Sequence, residues 1–243
     1  MRVFFLFLST GLIPCLIGCN ATPDEEGVSP TSFNVNLENI SLDGDLVPSE
    51  GDPQSIKFAP GILIVHTDDF ALFASGSAPL FDGFEAMVED GDNTTLLEVL
   101  AEEPSVIHAT SFAALDASYA DAPMLPGEKA TQSIEALPGE ALTVAAMFGE
   151  SNDVFIAAMG APLFDADLQP QDTDASSLVT LWDAGTEVNE EPGLGDNQAP
   201  RQSAPGQGED EGGTVEPITG QDAEGFTYPA PEDMISLRIT IAD

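Results

Sequence analysis

Basic side chains are scarce in this chain: 5 Lys and Arg stand against 43 Asp and Glu in 243 residues, a formal charge of −38. A surface of that sign repels phosphate backbones and anionic headgroups, which excludes nucleic-acid binding and docking on acidic membranes through basic patches. It attracts cations, and its self-repulsion in the compact state is relieved by salt or by divalent ions. There are only two cysteines, Cys15 and Cys19, both near the N-terminus. The rest of the chain therefore has no disulfide framework, no Cys-based zinc site and no thiol nucleophile. The two histidines, His66 and His108, each sit alone in an apolar, strand-like run, the usual setting of a structural histidine. No G-x-S-x-G elbow, H-E-x-x-H helix or G-x-x-x-x-G-K loop occurs. Acids are so numerous that some pair will always fit a glycosidase separation, so that test carries no weight. The sequence predicts no enzyme. What is present is 42% hydrophobic residues, enough to bury a sizeable core in one large domain or two small ones.

The first residues form an address. Met1-Arg2 is a short positive segment, residues 3–17 are mostly apolar but interrupted by Pro14, and Gly18 precedes Cys19. The run is too short and broken for a confident membrane span and has the layout of a secretory signal. Leu16-Ile17-Gly18-Cys19 also resembles a bacterial lipobox, in which cleavage before the cysteine is followed by acylation of its sulfur. An ordinary signal peptide with an incidental Cys19 is the alternative. Two or three acyl chains, at about 0.8 kcal/mol per buried methylene, anchor a protein stably. Asn20 after the cysteine resembles the pattern of proteins passed to the outer membrane of Gram-negative bacteria. The expected organisation is a lipoprotein signal over 1–18, an acidic tether over 19–31 and one domain over 32–243. A mature chain beginning at Cys19 would retain all 43 acids and 4 bases, a charge of −39.

Within that domain, residues 33–40 alternate apolar and polar with period two, the mark of a half-buried strand. Further strands are expected at 55–58, 62–66, 70–74, 105–109, 130–137, 141–148, 154–159, 177–182 and 234–241, separated by turn signals such as Pro60-Gly61, Pro126-Gly127 and Pro138-Gly139. Helical spacing appears only at 80–88 and 96–101, the second with Asp92 or Asn93 available as its N-cap. The sum is an all-β antiparallel sandwich with short helical insertions. Residues 189–215 are rich in Glu, Asp, Gly, Pro and Gln and form either a flexible loop or an acidic binding loop.

One group of acids is distinguished by position. Ser151-Asn152-Asp153 lies in the turn between two apolar strands, and Asp183-Ala184-Gly185-Thr186-Glu187 lies where another strand exits into the acidic loop. If those ends meet, Asp153, Asp183 and Glu187 can converge, with carbonyls of Gly185 or Thr186 completing the shell. Hard oxygen ligands without His or Cys select Ca²⁺. The bland alternative is a solvated loop capped by Asp side chains.

The run Leu142-Thr143-Val144-Ala145-Ala146-Met147-Phe148, then Ser151-Asn152-Asp153-Val154-Phe155-Ile156 and Asp183-Ala184-Gly185-Thr186-Glu187, resembles the spondin N-terminal domain. The animal members have a strand ending in Ser-Pro-Asp-Trp-Phe and a second segment Asp-Ala-Gly-Thr-Asp. Residues 33–37, 86–93 and 125–128 look like the bacterial, lipoprotein-borne members. The likeness spans roughly 32–243. It implies a C2-like sandwich of about eight antiparallel strands with Ca²⁺ at one end, held by Asp153, Asp183 and Glu187. Glu187 stands where the family has Asp, Asn152 where it has Pro, and Val154 where it has an aromatic. The cysteines of the animal domain and the thrombospondin repeats that follow it do not appear, so matrix and guidance functions transfer poorly.

Three functions are then weighed. The leading one is a lipid-anchored, calcium-binding module acting in surface binding or adhesion at the bacterial outer membrane. Its partners would be the membrane, through Cys19, and a protein or matrix ligand, with no nucleic acid and no small-molecule substrate. The second is a structural envelope lipoprotein whose acidity is adaptation to salt. The third is a carboxylate- or metal-dependent hydrolase, which needs a carboxyl with a strongly raised pKa or a metal-bound water.

Overall fold

The computed structural model describes residues 28–115 and 122–242. The signal segment, Cys19 and most of the 19–31 tether lie outside the described residues. Period-two alternation is realised first in β1 (Thr31–Asn39), which buries Phe33, Val35, Leu37 and Asn39 on one face. The strand β10 (Ile235–Ile241) pairs antiparallel with it, Leu37 opposite Leu237, and β4 (Lys129–Ala136) pairs on its other side. The two-residue β7 (Thr173–Asp174) completes a four-stranded sheet in the order β4-β1-β10-β7.

The second sheet has six strands. They are β2 (Gly61–His66), β3 (Val106–Phe112), β5 (Ala141–Met147), β6 (Val154–Pro162), β8 (Thr180–Asp183) and the two-residue β9 (Glu216–Pro217), in the order β3-β2-β5-β6-β8-β9. Every pairing is antiparallel. Among the described residues the fold is an all-β sandwich with eight strands of four residues or more and two of two residues. Its interior layer joins Phe33, Val35, Leu37, Leu237 and Ile239 to Leu63, Val65, Leu142, Val144 and Ile156.

A second apolar layer covers the outer face of the larger sheet. The continuous run Ile62-Leu63-Ile64-Val65 explains why: β2 is buried on both faces, as an unbroken apolar strand must be. The covering pieces are α1 (Phe84–Asp90), α2 (Thr94–Leu100) and the irregular stretch around Phe70–Phe73. Phe73 meets Phe155 edge-on at 5.2 Å and Trp182 at 4.8 Å. Residues 70–74 are thus a plug and not the strand their apolar character predicts. Residues 55–58 likewise form no strand: Gln54 and Phe58 make single bridges, to Leu46 and to Met124 and Phe148. Asn93 stands at the N-cap of α2, but its side chain makes no capping hydrogen bond. Its amide donates instead to the carbonyls of Pro60 (2.8 Å) and Gly61 (3.3 Å), while Asp92 Oδ1 accepts the Thr94 N–H at 2.9 Å.

Candidate metal centre

Strand register brings two acids together. Val154 pairs with Asp183 across β6 and β8, so Asp153, one residue before β6, lies beside the last residue of β8. The turn that carries Asp153 is fixed by Ser151, whose hydroxyl donates to the Phe148 carbonyl at 2.6 Å and accepts the Val154 N–H at 3.1 Å. After Asp183 the chain reverses at Gly185, with φ +67°, where a Cβ would collide with the backbone of Thr214. That reversal aims the N–H groups of Thr186 (2.7 Å) and Glu187 (3.1 Å) at Asp153 Oδ2. Asp183 Oδ1 accepts the Gly185 N–H at 2.8 Å, and its Oδ2 accepts the Asn189 amide at 2.7 Å.

The acidic loop then goes out and returns along its own path. Val188 N donates to Glu209 O, Glu211 N to Thr186 O and Gly213 N to Gly185 O, at 2.8, 3.0 and 2.7 Å. This return places Glu211 at the site. Ligand oxygens of Asp153, Asp183 and Glu211 lie within 4.8 Å of one another. One Ca²⁺ at about 2.3–2.6 Å from each oxygen spans such a group. Glu187, the third ligand expected from sequence, stands outside this group of three. Its backbone N–H faces Asp153, while its carboxylate accepts the Asn152 amide at 3.2 Å and lies over Gly208.

Loop 189–213 is a strap over the 148–153 turn, whose Glu150, Ser151, Asn152 and Asp153 are all buried. Arg201 reaches down to Glu150 at 3.0 Å and to the Gly195 carbonyl at 2.7 Å, while Lys57 grips the other Glu150 oxygen at 2.7 Å. Asn152 Oδ1 accepts the Glu190 N–H at 3.0 Å. Gln202 donates to Asp90 at 2.7 Å, and Gln54 to the Gly193 carbonyl at 2.7 Å.

Electrostatically the site is unbalanced. Asp153 is fully buried; loss of hydration, then the Asp183 charge, push its carboxyl up to about 8 despite three hydrogen bonds. Its Oδ1 has no hydrogen-bond partner at all. Burial also raises Asp183 and Glu211, the latter further through the Asp183 charge. Glu89 of α1, under the same strap, is pushed up to about 7 by burial, with Thr186 pulling it down and Glu187 pushing it up. No base answers these acids. Each Lys and Arg among the described residues is paired elsewhere: Lys57 and Arg201 with Glu150, Lys129 with Glu38, Arg238 with Asp174. A buried, unpaired acceptor grouped with the buried Asp183 and the exposed Glu211 could hold a hard cation, and the group contains neither His nor Cys.

His66 is not part of it. It is buried, its Nδ1 sits 2.8 Å from the Thr67 carbonyl and its Nε2 2.9 Å from the Thr143 hydroxyl. A carbonyl only accepts, so Nδ1 is the donor in that contact.

Glu211 was invisible in the sequence because its place depends on the strap's return. The nearest signal is Gly212-Gly213 after it, since a side chain at Gly213 would crowd the Gly185 carbonyl. The chain matches no family model and no curated protein.

Proposed function

We propose that this chain is a calcium-supported β-sandwich module, anchored through lipid on Cys19 at the bacterial outer membrane and acting in surface binding or adhesion. The observation that carries the metal reading is Asp153 Oδ1: buried, without a partner, and grouped with Asp183 and Glu211. A cation there would neutralise charges that otherwise repel by roughly 4 kcal/mol per close pair at an effective dielectric of 20. The residues fit Ca²⁺ by type and spacing. The anchor and the binding role are supported by Leu16-Ile17-Gly18-Cys19 and by the spondin-like segments. They are supported too by a surface whose described bases are all paired, which leaves its acids facing cations or a basic partner. That same surface favours the second reading, a salt-adapted envelope protein without a specific ion.

A thermal melt separates them. The detergent-solubilised protein is heated at fixed ionic strength in EDTA, Ca²⁺ or Mg²⁺, followed by the fluorescence of Trp182, the only tryptophan in the chain. Ca²⁺ at about 100 times its Kd adds roughly 2.7 kcal/mol, or about 5–11 °C for a domain of this size. The expected result is a shift of that order with Ca²⁺, smaller with Mg²⁺ and lost in Asp183→Asn. Equal shifts with both ions in both proteins would mean screening alone and would put the salt-adapted reading first.

A further inference from the structure

Asn189, only 5% exposed, carries a second buried oxygen without a partner, Oδ1, and its side chain touches the carboxylate group directly. Its Nδ2 donates to Asp183 Oδ2 at 2.7 Å, and Asp183 is one of the three residues whose oxygens lie within 4.8 Å of one another. The chain around it builds this placement. Asp183 Oδ1 is engaged by the Gly185 N–H, so Oδ2 is the oxygen that meets Asn189. Val188, the residue before Asn189, is held by the Glu209 carbonyl on the strap's return. The contact with Asp183 accounts for the amide nitrogen and not for the amide oxygen. An ionised carboxylate only accepts, which fixes the nitrogen as the near atom and leaves Oδ1 at the other corner of the amide. A buried amide oxygen ordinarily accepts a hydrogen bond, and one that does not calls for another partner. Asp153 Oδ1, within the group of three, is in the same condition.

Both oxygens lack a partner that takes acceptors only. Ca²⁺ takes six to eight oxygens and draws them from side-chain amides as well as from carboxylates. The Asn189 nitrogen already stands at a distance from Asp183 Oδ2 that two oxygens on one ion, each about 2.3–2.6 Å from it, can share. The terminal torsion of an asparagine is broad and two-fold, so a half-turn exchanges nitrogen and oxygen within nearly the same volume. Oδ1 has no hydrogen bond to lose in that turn, and the ion replaces the amide hydrogen as the positive neighbour of Asp183. We propose that Asn189 is a fourth protein ligand of the cation, turning its side-chain oxygen toward the ion that Asp153, Asp183 and Glu211 hold. This rests on the calcium reading above. Asn189 is the first residue of the strap and Glu211 lies on its return, so the ion ties both ends of the strap to the sandwich.

Eu³⁺, a hard ion that shares calcium's preference for oxygen, reports how many waters remain on it through its luminescence lifetimes in H₂O and D₂O. The test measures that number on the detergent-solubilised wild type and on Asn189→Ala, alongside Ca²⁺ titration of Trp182 fluorescence. The expected result is one more water on the ion in the variant, because the shortened side chain leaves a coordination position to solvent, with Ca²⁺ affinity weakened about tenfold. An equal water count would overturn the proposal even if affinity fell, since Asn189 would then act only by holding Asp183 through its N–H. Should Asn189→Ala not fold, crystals of wild type grown with Ca²⁺ answer the question. An Asn189 oxygen about 2.3–2.6 Å from the ion sustains the proposal, and an amide still donating to Asp183 ends it. If wild type takes up neither ion, the calcium reading fails first and this inference falls with it.

Discussion

Replacing Asp153 by Asn removes one charge from the site while leaving an oxygen to accept the Thr186 and Glu187 N–H groups, now at 2.7 and 3.1 Å. The new amide would take the place of the unpartnered oxygen and could donate toward Asp183 and Glu211. Burial holds the wild-type carboxyl near 8 in the folded protein against 3.8 for the free group. At pH 7 that gap is about three units at ~1.4 kcal/mol each, so keeping the side chain protonated costs the cation-free fold up to roughly 4 kcal/mol. The sign follows from the proton count. Between about pH 4 and 8 the folded state holds a proton that the unfolded state has released, so stability falls as pH rises through that window and the cost vanishes below it. In EDTA, Asp153→Asn should therefore melt up to about 8–16 °C above wild type at pH 7, and close to wild type at pH 4. Millimolar Ca²⁺ should reverse the order at pH 7 to 8, since only wild type gains. The assay is a set of melts from pH 4 to 8.5 with and without Ca²⁺. A variant less stable than wild type in EDTA at pH 8, or a gap that ignores pH, would refute the reasoning.

Two further substitutions separate the parts of the site. Glu211→Gln should remove most of the Ca²⁺-induced melting shift while Glu187→Gln leaves most of it, because only Glu211 shares the ligand group; the reverse ranking would return Glu187 to the metal. Arg201→Ala leaves buried Glu150 with Lys57 alone and unpins the strap, at a cost of about 1–3 kcal/mol. Limited proteolysis should then cut within 189–213 faster than in wild type and Ca²⁺ should bind more weakly. An unchanged cleavage rate would show that the strap is held by its other contacts.

Sequence by itself determined the strand architecture wherever a local period was strong. Alternation over 33–37 specified which face of β1 is buried, and Met234 to Ile241 specified β10, because a side-chain period of two leaves no other register for a one-sided core. It also determined the chemistry of the site, since a chain with so few His and Cys offers a metal little but oxygen, and it marked Asp153 and Asp183 by their places at strand ends. Apolar content without period was ambiguous: 55–58 and 70–74 look like strands, but Phe58 and Phe73 are plugs whose positions are set by the aromatic neighbours they meet. Tertiary structure alone decided the third carboxylate and the full burial of Asp153. Glu211 reaches Asp153 because a loop of more than twenty residues returns on the carbonyls of Gly185 and Thr186, and a buried Glu150 holds that loop through Arg201. Contacts of that span depend on where distant backbone groups stand in the finished sandwich, and no local pattern of residues encodes them.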